Sequence, residues 1–389
     1  MSSGASLAVV CHGLPDTDVM KPACLAWMPL LGGALLWAQN PDKGDPPRAG
    51  ATDPFTGGEP KAMQAAGIVA YGPFLWANQQ RTEDVDKVLG TNRLVWIETA
   101  HFLIGCSLAG CAMPEEPEAR KFVNAELQRL NKRWSKFPAR ASKLDPWLRL
   151  HLYALRAEEL YAEFAKLVGH DDEAGTHLGQ KGKFALLLLQ KKSDLVRYHD
   201  RFCASKSEMS QRHYYDKTGQ YGFVLTPEGD EVRDEAAVHA QFRYFLIEIF
   251  ADAKGGMPFW LSMGLAHWYE RQVSTRTILA PIKNDESVDA SVQHLWHDKM
   301  KARCKHESNL LQFHELATKT DLGYYGHLQA WSRVDWMMAQ ERNRMQAFLA
   351  GLQGGHGISR QMESLEQAFG LEPEAFDAAW RAWVLKTYK

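Results

Sequence analysis

From about residue 62 onward the alternation of apolar and polar positions becomes regular enough to assign elements. Residues 93–105, RLVWIETAHFLIG, form a short apolar run rich in β-branched and aromatic residues, which predicts a strand. Residues 114–136 open with Glu115, Glu116 and Glu118 and close with Arg129, Lys132, Arg133 and Lys136, the charge order that complements a helix dipole. Asp145 is an N-cap with Pro146 at the first helical position, and the helix it starts runs through Trp147, Leu152, Leu155 and Phe164 to Gly169. Residues 183–189, KFALLLL, suit a buried strand, and Ser193 is placed to cap the helix through Tyr198 and Phe202. Residues 213–225, HYYDKTGQYGFVL, predict a hairpin around Thr218 and Gly219. The remainder reads as helices over about 232–252, 259–272, 323–340, 358–369 and 373–387, with no internal repeat. Strands followed by a strongly helical remainder predict an α+β fold dominated by helices, with a small sheet packed on them.

The N-terminal region has a different pattern. Residues 20–38, MKPACLAWMPLLGGALLWA, place a Lys before an uncharged apolar stretch and then small residues, the order of a secretory signal. Residues 1–19 carry Asp16 and Asp18 and no Lys or Arg, so translation is expected to start at Met20, with cleavage after Ala34 or Ala38. The mature protein is then exported, periplasmic or extracellular, with no stable membrane span. Residues 39–61 hold Pro41, Pro46, Pro47, Pro54 and Pro60 with four Gly, and read as a disordered tether. The organisation expected is a leader over 1–38, this linker, an N-terminal α+β region over 62–179 and a second domain over 180–389.

Composition narrows the class of protein. The 389 residues include 45 Lys+Arg against 47 Asp+Glu, a balance that argues against a nucleic-acid binder held by charge. The basic cluster over 132–143 follows from a helix end and its exit loop. Thirteen Trp, twelve Tyr and seventeen Phe supply ample core area. Beyond the leader, Cys106, Cys111, Cys203 and Cys304 allow three disulfide pairings or four buried thiols, and the Cys106/Cys111 spacing fits neither a redox nor a haem motif.

Residues 235–250, EAAVHAQFRYFLIEIF, put His239 and Arg243 one helical turn apart. After the break at Lys254, Gly255, Gly256, Met257 and Pro258, the segment FWLSMGLAHWYE begins a second helix. This pair resembles the active-site region of gluzincin-type zinc metallopeptidases, in which the first helix carries H-E-x-x-H and the second a segment like P-x-W-L-x-E-G-L-A. The resemblance covers roughly residues 180–387, including the tail SLEQAFGLEPEAFDAAWRAWV. It places His239 on the first ligand, Ala240 on the general base, Arg243 on the second His and Met263 on the downstream Glu, while Pro258, Trp260, Leu261, Gly264, Leu265 and Ala266 match.

The resemblance therefore implies a gluzincin-like fold, with the small sheet against the two former active-site helices and a C-terminal helical bundle. One imidazole cannot hold a catalytic zinc, Ala240 cannot accept a proton, and a cation at Arg243 opposes a divalent metal and favours neutral His239. The expected product is a catalytically inactive metallopeptidase-like protein without a cofactor, binding a peptide or protein ligand in the relict cleft. Two alternatives stand beside it: a hydrolase with a site rebuilt around His267 and Glu270 together with His239, and a structural envelope protein. His294 with His297, and Glu98 with His101, are further close pairs, each without a visible third ligand.

Overall fold

The computed structural model describes residues 9–10, 52–90, 94–172, 175–203, 205–227, 234–275 and 295–389. The expected leader and most of the tether lie outside them. Strand β1 (Val9–Val10) is followed by helix α1 (Pro60–Ala66), β2 (Ala70–Tyr71), α2 (Thr82–Leu89), β3 (Val95–Glu98), β4 (Phe102–Cys106), β5 (Cys111–Ala112), α3 (Pro117–Arg133), β6 (Lys143–Leu144) and α4 (Pro146–Leu167). Then come β7 (Thr176–His177), β8 (Gln180–Lys181), β9 (Phe184–Leu188), α5 (Lys192–Phe202), β10 (Gln211–Tyr215) and β11 (Gln220–Leu225). Helices α6 (Glu235–Ala253), α7 (Phe259–Arg271), α8 (Trp296–Cys304), α9 (Phe313–Thr318), α10 (Tyr324–Ala339), α11 (Arg342–Gly351), α12 (Ile358–Phe369) and α13 (Pro373–Thr387) complete the chain. The fold is α+β, as the pattern predicts.

One mixed sheet runs in the order β1-β10-β11-β9-β4-β3-β2, with β4 and β11 both parallel to β9. Every residue of β4 and β9 is buried, because helices cover both faces. On one face Trp76, Val85, Trp96, Leu187, Leu195 and Tyr198 form a compact core beneath α2 and α5. On the other, Phe102, Tyr161, Phe164, Phe184 and Phe250 interlock through aromatic contacts beneath α4 and α6. The boundary expected at 179/180 cuts through this sheet, since β4 pairs along its length with β9.

Several expectations shift in detail. The single strand over 93–105 is a hairpin, β3 and β4, turning near Thr99 and His101. Ser193 lies inside α5, whose N-cap is Lys191. Asp145 caps α4 as expected, accepting from the backbone of Trp147 and Leu148. The tether ends earlier than 61: Asp53 is buried and its carboxylate accepts from Tyr71, Thr56 and the imidazole of His151, which fastens this segment to α4. Among the described residues Cys106, Cys111, Cys203 and Cys304 are buried free thiols, and burial pushes Cys106 up to about 11 and Cys111 up to about 12, so both stay protonated.

Helix α6 lies on the sheet through Phe242 and Phe245 against Phe223, and α7 sits behind it, between α6 and α10. The sheet thus packs chiefly on the first of the two motif helices. Gly264 marks the α7–α10 crossing: a Cβ there would lie 2.6 Å from the Ala330 carbonyl oxygen, so only glycine permits this approach. Trp260 is fully buried against Phe313, and its indole donates to Gln361 at 2.9 Å, tying α7 to α12.

Candidate functional site

Helices α6 and α7 run antiparallel, and their side-chain contacts fix which residues share a level. Arg243 donates from Nε to the Tyr269 carbonyl at 3.0 Å and from Nη2 to Gln272 Oε1 at 2.9 Å. His239 lies one turn further back, at the level of Gln272 and Val273. Met263 sits much nearer the start of α7, where its sulfur accepts the Tyr244 hydroxyl at 3.3 Å. Met263 is thus nine or ten residues from the level of His239, on the order of 15 Å along a helix axis. The four positions His239, Ala240, Arg243 and Met263 do not converge on one point. Arg243 has the carbonyl partner that a semi-buried cation needs, and its guanidinium also stacks 5.4 Å over the Tyr269 ring.

His239 has a setting of its own. It is 1% exposed, its Nε2 has no hydrogen-bond partner, and it lines a cavity of about 180 Å³ with Glu116, Glu118, Phe122, Glu235 and Gln272. Burial first, then the positive charges of Arg156, Arg243 and Arg129, hold its imidazole neutral. A buried, uncharged ring therefore forms part of the wall of a small cleft that Glu116 and Glu118 also line.

His267 and Glu270 do meet, but without His239. His267 Nδ1 is 3.0 Å from Glu270 Oε2, and its Nε2 is 3.1 Å from Nδ1 of His327 on α10. All three side chains are fully buried. Both ring nitrogens of His267 are engaged, which leaves no lone pair for a metal and makes this chain a polar link inside the helical core. His297 packs its ring 4.5 Å from Tyr388 and 5.0 Å from Trp331, and His294 lies outside the described residues.

Glu98 and His101 part ways at the β3–β4 turn. Glu98 pairs with Lys183 at 2.7 Å, while His101 turns to α4 and to the loop preceding β7. His101 Nδ1 is 2.5 Å from Glu158 Oε2, and its ring stacks on Tyr161 with centroids 3.9 Å apart. Its Nε2 faces Asp172 Oδ2 at 3.4 Å, and His177 stands edge-on at 5.4 Å between ring centroids. Tyr161 donates to Asp172 at 2.7 Å, and the Leu178 amide donates to Asp172 Oδ1 at 3.1 Å. These contacts hold the Asp172 carboxylate below its usual range against the opposing effect of burial. The sequence signal for this group is HDDEAGTH over 170–177, two His and two Asp in one short loop, but nothing in it points to His101 some seventy residues earlier.

No protein-family model matches the chain, and no curated protein matches it.

Proposed function

We propose that the chain is an exported, catalytically inactive metallopeptidase-like protein that binds a peptide or protein ligand at the cleft beside His239. Export rests on the apolar run over 23–38 after Lys21. Among the described residues, no helix is long and apolar enough to cross a membrane.

The observation that carries the binding reading is the buried, unpartnered Nε2 of His239 at the cavity wall. The neutral ring and the rim carboxylates of Glu116 and Glu118 suit an amine or guanidinium, so a peptide presenting Lys, Arg or its own amino terminus is the matching class. Loss of peptidase chemistry is supported by the dispersed motif: Ala240 is a buried methyl group, Arg243 is fixed to α7, and Met263 packs elsewhere.

The test is fluorescence anisotropy with labelled short peptides bearing Lys, Glu or Leu, combined with mass analysis of the same peptides after incubation with zinc. Selective binding of the Lys peptide, its loss in His239→Phe and intact peptides are the expected results. Hydrolysis, or equal indifference to all three peptides, would overturn the proposal.

A further inference from the structure

We infer that His101, Asp172 and His177 form a binding site for a divalent transition metal of the zinc class. The inference is independent of the cleft beside His239. One ligand atom from each residue can be chosen so that all three lie within 4.8 Å of one another. The separation of His101 Nε2 from Asp172 Oδ2, 3.4 Å, is too long for a strong ionic hydrogen bond. It agrees with the edge of a zinc tetrahedron, about 3.3–3.5 Å for bonds of about 2.0–2.1 Å.

The surroundings orient these groups in the way metal ligands are oriented. Glu158 engages His101 twice, from Oε2 to Nδ1 at 2.5 Å and from Oε1 to the backbone N–H at 3.0 Å. A carboxylate on Nδ1 fixes the tautomer that leaves the Nε2 lone pair facing Asp172. Tyr161 stacks on the His101 ring and donates its hydroxyl to both Asp172 oxygens at 2.7 Å, so one residue positions two ligands. The Leu178 amide adds a third hydrogen bond on Oδ1 and leaves Oδ2 turned toward His101.

His177 supplies a second, separate observation. Its Nδ1 is buried without a hydrogen-bond partner, although the residue borders solvent.

The donor set selects the metal. Two imidazoles and one carboxylate suit zinc, cobalt, nickel or copper and disfavour magnesium and calcium, which take oxygen ligands. The carboxylates of Asp172 and Glu158 balance a dication, and Asp172 is exposed, so the fourth position opens to water. Such an ion would clamp together the β3–β4 turn, α4 and the β7–β8 hairpin.

Calorimetric titration of the chelator-treated full chain with Zn2+, and of the same protein with Co2+ followed by visible absorption, tests the site. One equivalent of zinc and the d–d bands of a tetrahedral cobalt centre are expected, both lost in Asp172→Asn and in His177→Gln and kept in the exposed His306→Gln. Should the ligand variants unfold by circular dichroism, Glu158→Gln decides. It leaves all three ligands in place, and zinc affinity should fall about 10- to 100-fold. A folded wild-type chain that takes up no zinc or cobalt overturns the inference. So does affinity unchanged in Glu158→Gln or in the folded ligand variants.

Discussion

The carboxylate of Glu235 on α6 meets the guanidinium of Arg149 on α4 at 2.6 Å, with both side chains removed from solvent. The other carboxylate oxygen binds Arg156 at 2.5 Å, and Arg156 in turn holds Glu126 of α3 through two hydrogen bonds of 3.0 and 2.7 Å. Three helices are therefore joined by two buried cations and two buried anions. The arginines hold Glu235 below the usual carboxylate range even though burial alone would raise it.

Removing one member strands the others in a dry interior, which costs about 3–5 kcal/mol in comparable buried pairs. Arg156→Met should lose that amount in urea denaturation, because Glu126 and the second oxygen of Glu235 lose their partner together. An Arg129→Met change serves as contrast: its pair with Glu159 is solvent-accessible and should cost no more than about 1 kcal/mol. Equal losses in the two variants would refute the distinction.

Trp260 anchors the second motif helix. Truncation to Ala removes a fully buried indole packed on Phe313 and leaves Gln361 Oε1 without its donor. A loss of about 3–5 kcal/mol is expected from the cavity alone. The denaturant midpoint measures it, and a midpoint within error of the wild type would contradict the packing described.

The long helices and the central strand were legible because their signals are local. Asp145 caps α4, Pro373 opens α13, and the apolar run over 183–189 becomes β9 with every side chain buried. Short helices such as α2 and α9 escaped notice, since eight and six residues give too few turns for periodicity to emerge. The hairpin of β3 and β4 has the sequence pattern of one strand because its turn, Glu98 to Phe102, carries no glycine or proline. The ion network and the His101 group depend on contacts between residues 30 to 86 positions apart, which no local pattern encodes. The motif helices were found, but spacing along the chain did not show that Met263 would pack on Tyr244.

The separation of Met263 from His239 makes a sharp prediction about zinc. Ala240→Glu, Arg243→His and Met263→Glu together restore every motif residue in sequence, yet Met263 and His239 stand on the order of 15 Å apart along α7. The triple variant should gain no zinc equivalent at this locus, and the carboxylate placed at 263 among buried groups should lower stability. To keep the count unambiguous, the titration is made in a chain that also carries Asp172→Asn. A new stoichiometric site in that background would show that the helices can slide into the metallopeptidase register.

Glu248 gives the fold a pH dependence of defined sign. It is 7% exposed on α6; burial raises it most, the charge of Asp252 adds to this, and Arg212 only partly offsets both, so its pKa is pushed up to about 7 from 4.5. Arg212 lies 3.7 Å from Glu248 but 3.0 Å from Asp252, which claims the closer contact. Between those two pKa values the folded chain holds a proton that the unfolded chain releases. The associated stability is complete below about pH 4.5 and is lost as pH rises through about 7. The full effect is on the order of 3 kcal/mol. Glu248→Gln keeps the shape and removes the charge, so its stability relative to the wild type should improve from pH 5 to about pH 7 and level off by pH 8. Urea midpoints of the two proteins at unit intervals of pH read this difference directly, and a constant gap across the range would mean that Glu248 is ionised in the folded chain throughout.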